Sequence, residues 1–377
     1  MRLEVATKAD NEELLKFYSS FPLNGLIDLK VSRGSNFFAP YQTLADDFRT
    51  YVLKDPEKGN QIEATASFLI KDTIYNNKRI RIAHATDLRV SNSRKAIIEW
   101  TQHFLPVLQQ IQSDFKTEYC FSHINLSDPT AFNTFVRPRT MKRPLPRYFL
   151  YRKYNLISLH GRYPFSPKPL EFVKIRPASE ANVDALIHYL AYRSQFRPFT
   201  SVWDKESFLK KIHRLPGFKP EDFLVAFDSY ENVVGCLAHW SPQEVHQYIP
   251  LSYSLRAHNF RQFLKFGWAM GWTRRLTKPY VSTGEESPLN YRVLMNIMAN
   301  NEDIFESLLW HAYQAATPNQ FLIYAQIEQD YRLAPPPTWI QASIPHALYC
   351  MLAPDSQTPD FLHPSHAQNP EIEATLI

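Results

Sequence analysis

The sequence predicts an α/β protein made of two similar domains in tandem, and three observations lead to that fold class. Residues 3–15 (LEVATKADNEELL) align without gaps with residues 175–187 (IRPASEANVDALI), and both are typical of a short strand, a polar turn and an amphipathic helix. Residues 46–68 and 221–240 follow in the same order, each typical of two strands joined by a charged turn. Between the copies, residues 160–170 (HGRYPFSPKPL) have the proline-rich composition of a linker.

These boundaries predict an N-terminal domain of residues 1–159, a linker of 160–170 and a C-terminal domain of 171–354. Residues 241–288 are expected to form an insertion in the second domain, and residues 355–377 a flexible tail with little ability to pack. A chain of 377 residues with 44% hydrophobic and 21% charged residues has enough apolar material for two cores. Its net charge of +5 permits an anionic ligand but does not by itself indicate nucleic-acid binding.

The three cysteines, Cys120, Cys236 and Cys350, lie far apart and each sits in an apolar run. This usage argues against a disulfide framework and against a zinc site, so we expect buried thiols in a reducing cytoplasm and no bound metal. The charged N-terminus lacks the apolar run of a signal peptide, and no stretch approaches the roughly 18 apolar residues of a membrane-spanning helix. The sequence therefore predicts a cytoplasmic protein without a transmembrane segment.

Within the first half, residues 78–90 (KRIRIAHATDLRV) are the clearest strand. Regular alternation puts His84 on one face with Leu88 and Val90, and puts Asp87 on the opposite face. By this parity, His84 and Asp87 should not line the same side of a cleft.

A helix is predicted from about Ser93 to Gln112, with capping side chains supplied by the serines that precede it. Pro106 lies inside this helix and removes one backbone hydrogen bond, so we expect a kink or a break there. Residues 117–127 then predict a strand, and residues 128–136 a short helix.

The order of these elements resembles that of the GNAT acyltransferase superfamily. More narrowly, residues 32–41 (SRGSNFFAPY), 87–91 (DLRVS), 137–154 (RPRTMKRPLPRYFLYRKY) and 233–240 (VVGCLAHW) are similar to segments of bacterial tandem-GNAT proteins. The resemblance implies two tandem GNAT-like domains, each a mixed, mostly antiparallel sheet flanked by helices. It also implies that strands four and five of a domain separate, and that the pantetheine of acyl-CoA lies in the gap.

In this family the CoA diphosphate rests on backbone N–H groups between strand four and the following helix, where small residues let phosphate oxygens approach. The resemblance therefore assigns acyl-CoA binding in this chain to the end of the strand and the start of the helix. These residues are Leu88, Val90, Ser91, Ser93, Arg94 and Lys95.

The sequence departs from the family at this same place. No glycine follows Val90, and β-branched residues at Ile97 and Ile98 crowd the start of the helix. In the second half, Asn300 and Asn301 can cap the corresponding helix, but no glycine or arginine follows them. Neither repeat keeps a recognisable diphosphate cradle. The N-terminus of the helix that begins at Ser93 is then one of two things. It is either an anion site that uses side-chain charge, or a capped helix end exposed to solvent.

A basic segment follows, with seven Lys or Arg residues and no acidic residue in residues 137–153. Interleaved tyrosines offer stacking surfaces, so the segment suits an anionic nucleotide or an acidic partner; alternatively, its arginines pair with acids of the other domain.

A loop in residues 32–41 borders the substrate cleft in the family, although paired aromatics are more often core. The predicted ligand-binding residues are Arg33, Asn36, Phe37, Arg137, Arg139, Lys142, Arg143, Arg147, Tyr148 and Arg152.

Catalytic residues are not identified, because no motif singles out a nucleophile. Acid–base candidates are His84, Asp87, His123, Tyr148 and Tyr151, and His84 is expected to be a hydrogen-bonded core histidine.

The aromatic and basic residues of the insertion are expected to pack between the two domains. Alternatively, the insertion lies on a membrane surface or binds a partner.

Three functions remain open at this point. The first is acyl-CoA-dependent N-acyl transfer to an unknown amine. The second is a catalytically degenerate GNAT-fold protein that binds an anionic nucleotide, for example a cyclic dinucleotide. The third is a scaffold that docks a protein partner.

Overall fold

The computed structural model describes residues 1–128, 145–169, 172–363 and 368–376. The strands in these ranges are β1 (Arg2–Val5), β2 (Ile27–Ser32), β3 (Asp47–Asp55), β4 (Gln61–Tyr75), β5 (Lys78–Val90), β6 (Tyr119–Asn125), β7 (Arg147–Arg162), β8 (Lys174–Pro177), β9 (Thr200–Ser201), β10 (Phe223–Phe227), β11 (Val233–Trp240), β12 (Gln247–Tyr253), β13 (Tyr291–Ala299), β14 (Phe321–Ile327) and β15 (Trp339–Leu352). The α-helices in the same ranges are α1 (Asn11–Ser19), α2 (Ala39–Leu44), α3 (Arg94–Phe115), α4 (Val183–Ser194), α5 (Lys205–Arg214), α6 (Leu255–Ala269), α7 (Tyr280–Thr283) and α8 (Glu302–Ala315).

The main sheet is continuous and mixed, in the order β1-β3-β4-β5-β6-β15-β7-β14-β13-β11-β10-β8. Two neighbouring pairs, β5 with β6 and β13 with β14, are parallel, and the other pairs along this path are antiparallel. Each half contributes one parallel pair in the same topological position. The predicted class, two GNAT-like units with mostly antiparallel sheets flanked by helices, is confirmed.

The two halves exchange their last strands. β7, from the first half, pairs with β14 of the second half, and β15, from the second half, pairs with β6 of the first. β7 and β15 also pair with each other, from Arg162 opposite Trp339 to Arg147 opposite Leu352. The two sheets are therefore merged into one, and the segment expected to be a linker begins inside β7, at residues 160–162.

Helices cover both faces of the sheet in each half. In the first half, Leu14 of α1 and Tyr41 of α2 pack on one face, and Trp100 and Leu108 of α3 pack on the other. In the second half, α4 and α5 cover one face and α8 covers the other. The apolar positions recur at helical spacing on each helix, which explains why each presents one stripe to the sheet.

A β-bulge interrupts the fourth sheet strand of each half. Asp87 in β5 and Asn296 in β13 have left-handed backbone angles, with φ of 54° and 51°. At both places two residues face a single residue of the neighbouring strand. The bulge reverses the alternation, so Leu88 and Val90 pack under α3 while Asp87 points to the α1 and α2 face, which also carries His84. The predicted separation of His84 from Asp87 by facing parity is wrong for this reason.

Helix α3 begins as predicted, because the Ser93 hydroxyl accepts a hydrogen bond from the Ala96 N–H. It continues without a break through Pro106 to Phe115, so the expected break does not occur. Burial of Trp100, Leu108 and the other inward-facing residues of this helix offsets the roughly 3 kcal/mol that an internal proline costs. In the second half, Asn301 caps α8 as predicted. The short helix predicted for residues 128–136 lies almost wholly outside the described residues.

The insertion at residues 241–288 packs only in part between the halves. β12 pairs with β2 of the first half, and Tyr248 contacts the cores of both halves. Helix α6, in contrast, leaves large apolar side chains exposed, so the expectation that the aromatics of the insertion pack between the domains is wrong for this helix. No helix in the described ranges combines the length and the hydropathy needed to cross a bilayer.

The described parts of the C-terminal segment, residues 355–363 and 368–376, include buried residues, in contrast to the expected flexible tail. Phe361 and Ile372 contribute to an apolar cluster built on β5, β6, β7 and β15, and Leu376 reaches the cluster under α1. Composition alone suggested little packing ability, but a few apolar residues at the right spacing are enough once a groove exists to receive them.

Candidate functional site

A polar cavity lies at the centre of the sheet, where β5 and β6 diverge. The two strands pair only from Ile82 opposite Tyr119 to Ala85 opposite Ser122, and both continue beyond that point without pairing. The central cavity has a volume of about 20 Å³. It is lined by Lys71, Thr73, His84, His123, Phe199, Ser201, Leu348, Glu371, Glu373 and Leu376.

Four neighbouring strands contribute one ring each to a histidine–tyrosine cluster, His84, His123, Tyr154 and His346. The His84 and His123 rings are stacked, with centroids 5.5 Å apart and planes 10° apart. His123 Nδ1 lies 2.9 Å from the Tyr154 hydroxyl, and the His346 ring stacks on Tyr154 at 5.4 Å. Residue 84 is on β5, 123 on β6, 346 on β15 and 154 on β7, so the cluster spans the junction of the halves.

The histidines of this cluster are neutral near pH 7. Burial lowers the pKa of His84 to about 3, and the Lys71 ammonium adds to that shift. Burial also lowers the pKa of His123, with His84 and His346 contributing. Within the described part of the chain, His84 Nδ1 and His123 Nε2 have no hydrogen-bond partner. His84 is thus not the hydrogen-bonded core histidine that the sequence suggested.

Two carboxylates from the C-terminal segment close the cavity. Glu373 accepts a hydrogen bond from Lys71 Nζ at 2.8 Å and from the Ser201 hydroxyl at 3.3 Å. Glu371 accepts from the Ser201 N–H at 3.2 Å and from Asn296 Nδ2 at 3.0 Å. Although burial alone would raise the pKa of Glu373, the Lys71 charge lowers it, so this group is ionised.

The histidine of β5 has no counterpart in the second half. His84 lies three positions before the bulge residue Asp87, and the residue three positions before Asn296 in the second half is Val293. Val293 is buried in an apolar cluster. The duplicated strand pair is therefore polar at its point of divergence in one copy and apolar in the other.

A buried ion pair holds the bulge next to this site. Arg33 donates to the carboxylate of Asp87, which also accepts from the Tyr18 hydroxyl at 2.7 Å and the Tyr41 hydroxyl at 2.6 Å. Burial would raise the pKa of Asp87, but the Arg33 guanidinium lowers it, so the carboxylate is ionised. Removing one member would leave a buried charge without compensation.

The predicted ligand residues of the first loop have structural partners. Arg33 is 8% exposed and, besides Asp87, donates to the Phe37 carbonyl at 3.2 Å. Phe37 is fully buried, and Asn36 caps its own loop by accepting from the Phe38 N–H. The Arg33 guanidinium and the Phe37 ring are thus engaged inside the protein, whereas Asn36 is exposed and bonded within its own loop. Ligand binding by these three residues stays a prediction.

The predicted acyl-CoA residues surround a turn that carries a buried carboxylate. The Glu63 side chain accepts from the Ser91 hydroxyl and from Lys58 Nζ at 2.6 Å. Lys95 is paired with Glu57 at 2.8 Å, whereas Arg94 is exposed. A surface groove of about 430 Å³ runs beside this turn and includes Glu63 and Ser91 in its lining.

This arrangement does not fit a diphosphate. The hydroxyl of Ser93 takes the Ala96 N–H, and the carboxylate of Glu63 would repel phosphate oxygens brought to the turn. In the second half, Glu302 and Asp303 occupy the first turn of α8 and have the same effect. Leu88 and Val90 pack under α3.

The basic segment is described only in its last part. Arg137, Arg139, Lys142 and Arg143 lie outside the described residues. Arg147 is exposed, Tyr148 packs against the α3 core, and Arg152 donates to the carbonyl of Gln368 at 2.9 Å. Arg152 therefore helps to hold the C-terminal segment.

Of the site residues, sequence reasoning named only His84 and His123, as acid–base candidates, and missed the other members: Lys71, Thr73, Tyr154, Phe199, Ser201, His346, Leu348, Glu371, Glu373 and Leu376. A signal existed for Tyr154, which ends the basic segment, but not for the others, because distant strands and the C-terminus bring them together.

Among the described residues no three His, Cys, Asp or Glu side chains are placed to hold a metal ion.

Comparison with solved structures relates this architecture to acyltransferases. N-myristoyltransferase of Saccharomyces cerevisiae, solved with bound myristoyl-CoA, is similar with a TM-score of 0.51 and 8% identity, over 95% of this chain and 86% of that chain. A GCN5-related glucosamine N-acetyltransferase region of a fungal GH3 β-N-acetylglucosaminidase is similar with a TM-score of 0.53 and 10% identity. That match covers 93% of this chain and 38% of the fungal one.

At these identities the likeness concerns the fold alone. No protein-family model matches the sequence, and a sequence search of curated proteins finds no match. The chain has the GNAT-type fold that its sequence predicted, shared with N-acetyltransferases and N-myristoyltransferase.

Replacing Asp87 by Asn should lower the free energy of unfolding by about 3 kcal/mol, because Arg33 loses its buried counter-charge while the left-handed backbone is still tolerated. Urea denaturation measures the loss. The matched control is Asp114→Asn, which breaks an exposed pair with Arg49 and should cost less than about 1 kcal/mol. Equal losses in the two variants would show that the buried pair has no special role.

The melting temperature should fall as the pH is lowered from 7 to 5. Unfolded histidine has a pKa near 6.5, whereas folded His84 has a pKa of about 3, so the unfolded state binds more protons in this window and acid destabilises the fold. A variant with His84→Gln and His123→Gln should lose part of this dependence in a scanning-fluorimetry series. The rest remains, because burial also lowers the pKa values of His160, His239, His246 and His346. His213→Gln, at an exposed position, is the control and should keep it. An unchanged slope in the double variant contradicts the assignment.

Proposed function

We propose that the protein is an N-acyltransferase that binds an amine in the central cavity, at the junction of its two halves. One observation carries the proposal: His84 Nδ1 and His123 Nε2 are buried, unpartnered and neutral at the point where β5 and β6 diverge. An ammonium ion must lose one proton before its nitrogen attacks the thioester carbonyl, and a neutral histidine can accept that proton. The nitrogen loses a second proton as the amide forms, and this proton leaves on the CoA sulfur when the C–S bond breaks. The fold supports the proposal, since the yeast neighbour binds myristoyl-CoA and transfers acyl groups, as its name states.

The cavity suits an amine that arrives as an ammonium ion. The Glu371 and Glu373 carboxylates line it, and they favour a positive charge close to the histidines. When His123 Nδ1 carries the ring proton and donates it to the Tyr154 oxygen, Nε2 presents a lone pair to the cavity. Tyr154 itself stays protonated, because burial raises its pKa well above the ordinary value. The histidine–tyrosine cluster thus orients one base and keeps it neutral.

The acyl donor is not anchored in the manner usual for the family. Acyl-CoA remains the donor class that the fold implies, but neither helix start fits a diphosphate, since Glu63 lies at one and Glu302 and Asp303 at the other. We therefore assign this chain's residues to the acceptor side of the reaction: holding the amine, accepting its proton and excluding water.

Room for the acceptor requires movement of the C-terminal segment. A cavity of about 20 Å³ admits roughly one water molecule. Glu371 and Glu373 are held by polar contacts to Ser201, Lys71 and Asn296, which an incoming ammonium group can replace. The acceptor enters along the path that residues 371–376 now occupy.

A second candidate function is binding without catalysis. The acidic groups at both helix starts favour it, because they disfavour the diphosphate contact in the two repeats independently. In that case the GNAT-type fold is retained as a scaffold, and the basic segment before β7 binds an anionic nucleotide, for example a cyclic dinucleotide, or an acidic protein.

Thermal shift and turnover separate the two candidates. Acetyl-CoA and longer acyl-CoA at millimolar concentration should raise the melting temperature, and a mixture of amines should release free CoA thiol. The His84→Gln and His123→Gln double variant should keep the thermal shift and lose thiol release by about 100-fold or more. His213→Gln serves as the matched control and should retain activity.

The opposite pattern identifies the second candidate. A melting temperature raised by nucleotides and by no acyl thioester, together with no thiol release from any amine, contradicts acyl transfer. Thiol release that survives in the double variant would leave acyl transfer standing but remove the histidines from it.

A further inference from the structure

Helix α6, in the insertion of the second half, presents an apolar side to solvent. Leu255, Phe263, Phe266 and Met270 recur on one side of this helix and its C-terminal cap at helical spacing. They are 78%, 42%, 62% and 54% exposed, respectively. Exposed Asn259 and Gln262 separate Leu255 from the others, so the continuous apolar patch consists of Phe263, Phe266 and Met270 and is about 10 Å long. Neighbouring exposed side chains of this size mark a candidate contact surface.

The helix is held rigidly from its opposite side. Leu264 is fully buried, and a Cβ at Gly267 would lie 2.8 Å from the side chain of Thr273, so helix and following turn are in close contact. The same turn is joined to β7, where the Arg274 N–H donates to the His160 carbonyl at 2.6 Å. The exposed side is therefore a fixed feature of the fold.

Positive charge surrounds this apolar side. Residues 245–284 contain six Lys or Arg residues and no Asp or Glu. Arg256 and Lys265 are exposed beside the apolar residues of α6. The Arg275 guanidinium lies 4.7 Å from the ring centroid of Trp268, which is itself partly exposed.

We propose that the outward side of α6 binds the surface of an anionic phospholipid bilayer. An interfacial helix combines Phe, Trp and Leu on one side with Lys and Arg beside them, and it lies in the plane of the headgroups. Charge complementarity selects anionic lipid, since no carboxylate within residues 245–284 opposes the phosphates.

Co-sedimentation of the full chain with vesicles tests this. Binding is expected to vesicles of phosphatidylcholine with about one third phosphatidylglycerol, to be weaker in high salt, and to be absent with phosphatidylcholine alone. Replacing Phe263 and Phe266 together by Ser should weaken binding by about tenfold or more, because each ring is lost from the apolar boundary. Phe263 stacks on Phe260 and Phe266 contacts the edge of Trp272, so the melting temperature should fall by only a few degrees and the variant should stay folded at the temperature of the binding assay.

The matched control replaces two exposed aromatics elsewhere, Phe196→Ser with Tyr230→Ser, and should bind vesicles like the unmodified chain. Failure of the unmodified chain to bind anionic vesicles at low salt overturns the proposal, as does an equal loss in the control. Light scattering distinguishes a second copy as the occupant: a dimer that the Phe263 and Phe266 variant dissociates, without vesicle binding, also overturns it. A failure of acyl transfer has no bearing on these outcomes.

Discussion

The exchange of the last strand between the halves is the constraint on which the centre of the molecule depends. β7 and β15 pair along their whole length, each inserted beside the sheet of the other half, so neither sheet is complete alone. Because Tyr154 and His346 lie on these two strands, the exchange is what brings them beside His123. The histidine–tyrosine cluster exists only in the joined molecule. The candidate site therefore requires both halves to be folded and joined.

Secondary-structure elements that depend mainly on neighbouring residues were predicted correctly from the sequence. The span of β5 was predicted to the residue, and the start of α3 at Ser93 followed from its capping side chain. The β-bulge is also a local feature, but the alternation of apolar and polar residues did not reveal it. A single left-handed residue, Asp87, shifts the side-chain period by one, and no composition or spacing distinguishes it from an ordinary strand aspartate. Asn296 repeats the feature in the second half, and Asp and Asn are the residues other than glycine that adopt left-handed backbone angles most readily.

Most of the candidate site could not be predicted, because its members are far apart in sequence. Glu373 meets Lys71 across the whole chain, and residues near the C-terminus have a composition that normally indicates a tail. The C-terminal residues are buried because the strand exchange creates a groove that receives them. The sequence of the C-terminal segment itself does not reveal that groove. His84 and His123 were named from the sequence, but their relation to each other was not, since it depends on where β5 and β6 stop pairing.

The two halves carry different features on the same fold. At the point where the parallel strands separate, the first half keeps His84 and the second has Val293, so polar chemistry is confined to one copy. The second half instead carries the long insertion, whose β12 pairs with β2 and whose α6 faces outward with apolar and basic residues. A duplicated fold needs only one reactive centre, and the copy without one can change its surface at no cost to that centre. Since β12 and β7 tie the insertion to the first half, an interaction at α6 would orient the central cavity relative to whatever surface α6 binds.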